Sequence, residues 1–590
     1  MKSNAKFLVA SLTLTLASSV LLGDVIFVND FTSLTNAISV AESGSIIQLA
    51  DGTYEIDETL NLKHTSPSWW TCELRGNSSD RRAVVLDGKG ARQVVNLYRS
   101  TIRDLTVTNG FSTSETAGIY ANSGFISNCV VTCCRIASPG TQEVRGGGVF
   151  LHGGTICDSE VSYCSITNTA LAAHNVWARG GGCLCEYQDV VRNVRFIECK
   201  NSAAYGNHTG GALYGEPKIL DGCDFIGCTA SSGAGAVELS MASVVTNCLF
   251  EGNYGKTGGL YAGYNTEVVD CSFVGNLSIG SYRGGGATLE TGSSIRDSYF
   301  LGNTNLVQNG GGIYTFGNVT RCYFEQNAAS ADGCTGGAIG SGGGVYAVRD
   351  CVFLNNSAAL GAAFYRRDSN ERTTIANCIF KENSATKADW GGIVRCSCLR
   401  NCYLADNTAA NIACATVAES TTFYDNTPDY GGAFVMWAVE GVTNCLFVSN
   451  KNSAGSEKNI VAFNNPPAGH ISHTAMTASD LDPALFADGD GNGNIIRDES
   501  GLGLSDVLAG DLRPKAHSIL RDAAVSLDWM PQARDLGDGT WTLAFADDVR
   551  KTSMRMSFNK VNARIFPEGG LPDIGCFEYV PKSGLILLFR

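Results

Sequence analysis

Val244-Val245-Thr246-Asn247-Cys248-Leu249-Phe250-Glu251-Gly252-Asn253 is the stretch on which the fold turns. Its kernel, Asn/Asp-Cys-x-Phe-x-x-Asn, returns at Asp270-Cys271-Ser272-Phe273 with Asn276, and at Asp350-Cys351-Val352-Phe353 with Asn356. It appears again at Asn377-Cys378-Ile379-Phe380 with Asn383, and at Asn444-Cys445-Leu446-Phe447 with Asn450. Partial copies surround Phe300, Phe324 and Leu404, while those at Phe196 and Phe225 end in Cys199 and Cys228 instead of Asn. From Phe250 to Phe273, Phe300, Phe324 and Phe353 the steps are 23, 27, 24 and 29 residues. A period of this size that varies in length describes stacked solenoid coils whose insertions fall in turns.

Each coil contains a second signature, Gly-Gly followed by a small or aliphatic residue, as in Gly210-Gly211-Ala212-Leu213, Gly258-Gly259-Leu260-Tyr261, Gly311-Gly312-Ile313-Tyr314 and Gly343-Gly344-Val345-Tyr346. A third short strand precedes the Asn/Asp, at Val244-Val245, Val268-Val269 and Ile375. Cys and Phe, two apart, share one face of a strand, and that face is the interior. Asn or Asp before Cys tolerates the left-handed backbone that a bend demands, and Gly pairs supply another bend. The expected fold is therefore all-β: a right-handed parallel β-helix solenoid with three short strands per coil. Equivalent Cys, Phe and Asn residues then stack into ladders, burying a core that no single coil could bury.

Such a stack has unpaired edges at both ends, which need covering. Leu34, Ala37, Ile38 and Ala41 have helical spacing, with Thr32 or Ser33 as N-cap and Gly44 past the end, and predict an N-terminal helical cap. The repeat stops near Asn465, so the rest reads as a small C-terminal cap module. Lys2 and Lys6, the apolar run Phe7 to Leu16 and the small residues Ala17, Ser18 and Ser19 read as an export signal cleaved between Ser19 and Asp24. The organisation is thus 1–23 signal peptide, 24–124 cap and first coils, 125–465 repeat region and 466–590 C-terminal module. A secreted or cell-surface location and a monomeric chain follow.

The chain has 590 residues, 17% of them charged, with 69 Gly and a net charge of −14. That charge disfavours nucleic acid and anionic membranes as partners. No segment approaches the roughly 20 apolar residues of a membrane span, and Leu585 to Phe589 is a short apolar end only. The 23 cysteines suit a buried ladder of thiols, because aligned Cβ atoms a strand spacing apart do not favour a relaxed disulfide. Cys183 with Cys185, or Cys396 with Cys398, lie off that ladder and are placed to bridge elsewhere; as a zinc signal Cys-x-Cys is weak beside only 7 His.

The paired Gly-Gly-Ala-aliphatic and Phe-x-x-Asn motifs resemble the repeats of chlamydial polymorphic outer-membrane proteins. The wider pattern resembles secreted bacterial right-handed parallel β-helix repeat proteins of the pectin-lyase-like superfamily. Asp573-Ile574-Gly575-Cys576-Phe577-Glu578, and Asp482-Pro483 with Leu485-Phe486, are similar to the closing region of such proteins. The resemblance covers most of the chain and implies the fold. It departs in the C-terminal segment, too short and too poor in alternating strands for a membrane barrel.

The sharpest local motif is Asp488-Gly489-Asp490-Gly491-Asn492-Gly493-Asn494-Ile495-Ile496-Arg497-Asp498-Glu499. Side-chain oxygens of Asp488, Asp490 and Asn492, the backbone oxygen of Asn494 and a bidentate Glu499 have the spacing of a structural Ca²⁺ loop. For catalysis, superfamily relatives imply carboxylate pairs, or Ca²⁺ with a basic residue, on the outer face. Asp221, Asp270, Asp297 and Asp350 are read at the bend before Cys, but Asn247, Asn377, Asn401 and Asn444 take the same place, which reads as backbone need. Arg145, Arg179 and Arg283 each precede three Gly and form either a basic stripe or solvated turns; Trp69, Trp70, Trp177, Trp390 and Trp437 either pack or stack on sugar rings. The leading expectation is a non-catalytic binding or adhesion scaffold directed at polysaccharide or a cell surface. A polysaccharide lyase or glycoside hydrolase, and a structural surface-layer component, are the alternatives.

Overall fold

A computed structural model describes residues 24–523 except 64–69, 140–141, 169–176, 204–206, 282, 344, 367–371, 388–391, 430–433, 457–470, 478–491, 508–510, 516 and 521–522, together with two short strands at 533–535 and 541–543. The chain is a parallel β-helix. Three ladders run along it, joined into one 46-stranded sheet. In one coil they are Val244–Thr246, Leu249–Glu251 and Leu260–Ala262, here called the first, second and third ladders. Each strand pairs in parallel with its counterpart one coil on, as Phe250 does with Phe273 and Leu260 with Ala287.

A fourth ladder completes the coil. Tyr254–Gly255 and its equivalents build a separate 13-stranded parallel sheet between the second and third ladders. The expected coil had three strands; the fourth escaped notice because many of its strands are two residues long, too short to show alternation.

The kernel residues lie where the periodicity puts them. Cys248 and Phe250 are buried, and Asn247 has φ +52°. Asp270, Asp297, Asp350, Asn377, Asn401 and Asn444 repeat that left-handed turn. Asp221 does not: it ends the strand Ile219–Asp221, and Gly222 takes the turn with φ +63°. Phe196, Phe225, Phe250, Phe273, Phe300, Phe324, Phe353 and Phe380 form an unbroken stack with centroids 4.6–5.2 Å apart and rings within 14° of parallel. The strand spacing of about 4.8 Å sets this separation, so each ring gains burial worth roughly 2–3 kcal/mol plus an aromatic contact. Leu404 interrupts the stack before Phe423 and Phe447 resume it, 4.6 Å apart.

Asn closes the kernel with a second column. Asn276 Nδ2 donates to the Phe250 carbonyl (2.8 Å) and to Asn303 Oδ1 (2.9 Å), and its backbone N–H donates to the same oxygen (3.0 Å). The pattern runs from Asn253 to Asn426, each amide engaging its neighbour one coil on and ending on Asn450. These are buried amides with their hydrogen bonds made, which is what burial of such groups requires.

The Gly pairs allow close backbone approach. A Cβ on Gly285 would meet the Gly311 carbonyl oxygen at 2.1 Å. One expected pair belongs elsewhere: Ile339 registers with Ile313, so Gly337-Ala338 is the true equivalent of Gly311-Gly312, with Gly336 at the bend before it as Gly310 is, and Gly343 precedes the first-ladder strand Val345–Arg349. Two Gly runs in one coil account for its greater length. Every cysteine among the described residues is a free thiol, the Cys183–Cys185 pair included, whose sulfurs sit 3.8 Å apart.

At the N-terminal end, the helix Phe31–Val40 links the paired strands Val25–Val28 and Ser45–Leu49. Leu34 and Ala37 are buried as the spacing predicts. Its N-cap is Asp30 rather than Thr32 or Ser33: Asp30 Oδ1 accepts from Ser33 N–H (2.6 Å) while Ser33 Oγ accepts from Asp30 N–H (3.2 Å), a reciprocal box that starts the helix earlier. At the far end the module differs from a lid. The short helix Glu499–Leu502 and the hairpin Leu504–Asp506/Asp511–Pro514 place Leu502, Leu504, Leu512 and Leu520 against Leu446, Val448 and Ala475. Leu446 and Val448 flank the inward Phe447, so this segment covers the outer side of the second ladder, where the last coils present apolar side chains. No helix among the described residues is long and apolar enough to cross a membrane.

Candidate functional site

The repeat is most disturbed between residues 143 and 290. There an extra three-stranded parallel sheet, Val144–Arg145, Trp177–Arg179 and Asn207–Thr209, stands outside the regular ladders, with Arg145, Arg179 and Thr209 in register. The third ladder supplies the floor beside it. Tyr214, Glu238 and Tyr261 occupy successive rungs of that ladder and alternate with the buried Leu213, Val237 and Leu260, so they point outward. A cleft of about 270 Å³ opens here, lined by Trp177, Thr209, Glu238, Lys256, Tyr261 and Arg283 among others.

Its walls combine rings and cations. The Arg283 guanidinium lies 4.6 Å from the Tyr261 ring; that of Arg179 lies 5.0 Å from Trp177 and 5.2 Å from Tyr214. Tyr261 donates its hydroxyl hydrogen to Glu290 (2.6 Å), which also pairs with Arg283 (3.4 Å). Burial, reinforced by Glu290, holds the Tyr261 phenol well above its usual range. Glu238 accepts from the Ala234 N–H (3.0 Å), and burial pushes its carboxyl up to about 7 against the opposing pull of that bond and of Arg283 and Lys256. Thr209 Oγ1 is buried without a hydrogen-bond partner. The cleft thus offers two flat rings, two cationic groups, a carboxyl near half-protonation at neutral pH and a spare hydroxyl.

The arginines singled out in the sequence divide. Arg145 and Arg179 are neighbours across the extra sheet and share Glu143 at 2.9 Å each, with Glu186 3.7 Å from Arg145; Arg283 belongs to the cleft. Acidic partners meet each of them, so no net basic stripe results. Of the tryptophans, Trp177 lines the cleft, whereas Trp70 is buried and donates from Nε1 to the Ala41 carbonyl (3.1 Å), a packing role at the end of the helix. Trp69, Trp390 and the side chain of Trp437 lie outside the described residues. Tyr261 and Glu238 escaped the sequence reading because they sit inside regular strands; the available signal was their place, second after the glycine or alanine bend, which faces outward.

The bend aspartates, and Asp221 just before its bend, do structural work. Burial raises Asp297, but a two-pronged contact with Arg321 (2.6 and 2.8 Å) and Arg296 (3.1 Å) wins and leaves its carboxyl below the usual range. Asp350 accepts from Asn377 (3.0 Å) and Asp221 from Thr246 (2.6 Å) and Asn247 (3.1 Å). These are links between coils.

Of the calcium-like loop, Asp488 and Asp490 lie outside the described residues, as do residues 1–23, Asp482–Phe486 and Asp573–Glu578. Asn492 accepts from the His473 N–H through its backbone oxygen (2.8 Å). The Asn494 side chain is buried, donating to the Ile471 carbonyl (2.9 Å) and accepting from Thr474 N–H (3.2 Å). Glu499 opens the short helix and accepts from Ser449 Oγ. Among the described residues no group of three or more His, Cys, Asp and Glu is placed to hold a metal, the Cys-x-Cys pairs included.

No family model matches the sequence, and comparison with curated proteins finds no match. Among solved structures, the chain is similar to a mannuronic acid specific polysaccharide family 6 lyase from human gut microbiota, at 11% identity over 76% of this chain and 92% of that one, with a TM-score of 0.31. It is similar to a pectate lyase at 12% identity over 92% and 90%, TM-score 0.16. It is also similar to the Dettilon tailspike protein at 13% identity over 73% and 64%, TM-score 0.19. At these distances no residue role passes from those proteins to this chain.

Proposed function

We propose that this protein is an extracellular, non-catalytic β-helix scaffold that binds carbohydrate in the cleft between Trp177 and Arg283. The observation that carries the reading is the pairing of the Trp177 and Tyr261 rings with the Glu238 carboxyl, the Arg283 guanidinium and the Lys256 side chain in one concavity. Ring faces pack on the apolar faces of sugars, and the polar groups satisfy hydroxyls or carboxylates. Against catalysis stands the state of Tyr261: its proton is committed to Glu290 and its pKa is raised, the wrong direction for a general base. The export-like sequence at residues 1–23 supports the location.

Affinity electrophoresis in gels cast with neutral and acidic polysaccharides tests the reading. Retardation by at least one polymer, weakened about tenfold or more by Trp177→Ala or Tyr261→Ala, is the expected result. Retardation that survives both substitutions removes the cleft from the argument. Unsaturated product during incubation with uronate polymers would replace the scaffold with a lyase, the reading favoured by the raised carboxyl of Glu238.

The same proposal includes one structural Ca²⁺ in the loop from Asp488 to Glu499, held by Asp488, Asp490, Asn492, the Asn494 backbone and Glu499. Hard oxygen donors at this spacing suit that ion, and a helix N-terminus already anchors Glu499. Calorimetric titration of the full chain should show one binding event that Asp490→Ala abolishes; no heat at millimolar Ca²⁺ would end the idea.

A further inference from the structure

The cleft is a notch in the wall between the fourth and third ladders. The chain takes 13 residues from Lys200 to Leu213 and 10 from Leu277 to Ala287, but only 8 from Thr229 to Val237 and 6 from Tyr254 to Leu260; the four starts are in register with one another, and so are the four ends. Two short connections therefore lie between two long ones, and the long ones stand three rung spacings apart, about 14 Å. The earlier long connection carries the strand Asn207–Thr209 and the later one carries Arg283, both of which reach the cleft.

Thr209 is set into the earlier wall. Its strand is the last of the three-stranded sheet, and Thr209 is in register with Arg179, whose guanidinium faces the Trp177 and Tyr214 rings. Asn201 fixes it from behind. That position of the fourth ladder holds the apolar Ile166 one coil earlier and Ala230 one coil later, yet here it is a buried amide. Its Nδ2 donates to the Ala178 carbonyl (2.7 Å) and to the Thr209 carbonyl (3.0 Å), which ties two strands of the extra sheet to the solenoid. The Thr209 backbone is thus held in place. Its side chain lines the cleft, is 7% exposed, and leaves Oγ1 without a hydrogen-bond partner among the described residues. A hydroxyl taken from water without a partner costs stability, and buried polar groups left in that state are rare. Valine fills the same volume, keeps the branched Cβ that strands favour and carries no such cost. The fold makes no use of this oxygen, and the space it borders is the cleft.

We infer that Thr209 is the specificity-determining contact of the cleft, its Oγ1 exchanging a hydrogen bond with one ring hydroxyl of a sugar seated between Trp177 and Arg283. The inference rests on the carbohydrate reading of that cleft. A threonine hydroxyl both donates and accepts, so another hydroxyl is its natural partner. A ligand of the same shape without that hydroxyl would leave Oγ1 buried and unpaired, which is how a buried polar group rejects the wrong ligand.

Thr209→Val and Thr209→Ser in the full chain test this, by affinity electrophoresis in gels cast with dextran, pectate or alginate and by thermal melts. Thr209→Val should melt at the temperature of the unmodified chain or above it, yet bind about tenfold more weakly to the polymer that retards that chain. Thr209→Ser keeps the hydroxyl and should bind within about twofold of the unmodified chain. Equal retardation of Thr209→Val and the unmodified chain overturns the inference alone; the cleft itself is tested separately by Trp177→Ala and Tyr261→Ala. A melting temperature several degrees lower in Thr209→Val, or failure of that variant to fold, shows that the hydroxyl is bonded within the fold and overturns the inference as well. So does a loss of binding in Thr209→Ser as large as in Thr209→Val, which assigns the effect to the methyl group. No retardation of the unmodified chain by any of the three polymers removes the carbohydrate reading, and this inference with it.

Discussion

The corner after the phenylalanine is built in two ways along the same solenoid. In the coils before residue 230, Cys134, Cys164, Cys199 and Cys228 fill it; in the later coils, Asn253 through Asn450 do. The two columns are continuous in register: the Cys228 N–H donates to Asn253 Oδ1 (2.9 Å), so the first amide takes over where the last thiol ends. The thiols make weak sulfur hydrogen bonds to backbone carbonyls, such as Cys199 Sγ to the Val161 oxygen at 3.4 Å. The amides bind both backbone and each other. The thiol half also holds the extra sheet, while the cleft straddles the junction, with Trp177 and Thr209 before it and Lys256, Tyr261 and Arg283 beyond it. The extra sheet sits beside the weakly bonded corner, whereas the amide column keeps its own spacing through coils whose steps run from 23 to 29 residues.

The comparison is broken hardest at an amide. Asn327→Ala would orphan the Asn303 N–H and the Phe300 carbonyl and remove an amide contact to Asn356, so a loss of about 5 kcal/mol is expected, against about 1 kcal/mol for Cys199→Ala. Hydrogen exchange of the surrounding strands, with denaturant melts, measures both; equal losses would erase the distinction.

A pH titration of one buried carboxyl gives a smaller effect. In the thiol half, Asp189 is fully buried, accepts from Gly154 N–H (2.6 Å) and keeps Oδ2 without a partner. Burial raises its carboxyl from 3.8 to about 7. Between those values the unfolded chain releases the proton while the folded chain retains it, so stability is full below about pH 4 and falls as pH rises through 7. The loss is at most about 4 kcal/mol. Asp189→Asn should flatten melts across that window, and an unchanged slope would show that Asp189 does not titrate there.

Phe300→Leu should cost only about 1.5 kcal/mol, since Leu404 already occupies an equivalent rung; a loss above about 4 kcal/mol would mean that the ring stack is not locally replaceable. Least of all, Asp270→Asn should stay within about 0.5 kcal/mol by thermal melting, because Asn247 adopts the same left-handed turn one coil earlier.

The ladders were legible because they repeat. Cys248, Phe250 and Asn253 recur with one spacing, and the register of Phe225 through Phe273 follows from it. What does not repeat was hidden. Tyr254–Gly255 is too short to announce a strand, Asp30 caps the helix through a reciprocal bond that hydrophobic spacing cannot reveal, and Gly343 imitates a bend that Gly336 makes. The cleft was half visible: Trp177 and Arg283 stood out as unusual residues, while Glu238 and Tyr261 looked like ordinary strand. Their chemistry comes from tertiary neighbours, Ala234 and Glu290, that no local pattern contains.

The amide column has a direction. Every member turns its oxygen toward the preceding coil and its nitrogen toward the following one, as Asn276 does between Asn253 and Asn303. Reversing a single amide would bring two oxygens together on one side and two nitrogens on the other, so no member can turn alone. The column is therefore an aligned row of dipoles inside an otherwise apolar tube, negative toward the early coils and positive toward the late ones. A coil added to or deleted from this half would preserve that electrical polarity, and successive amides should strengthen one another as the row lengthens.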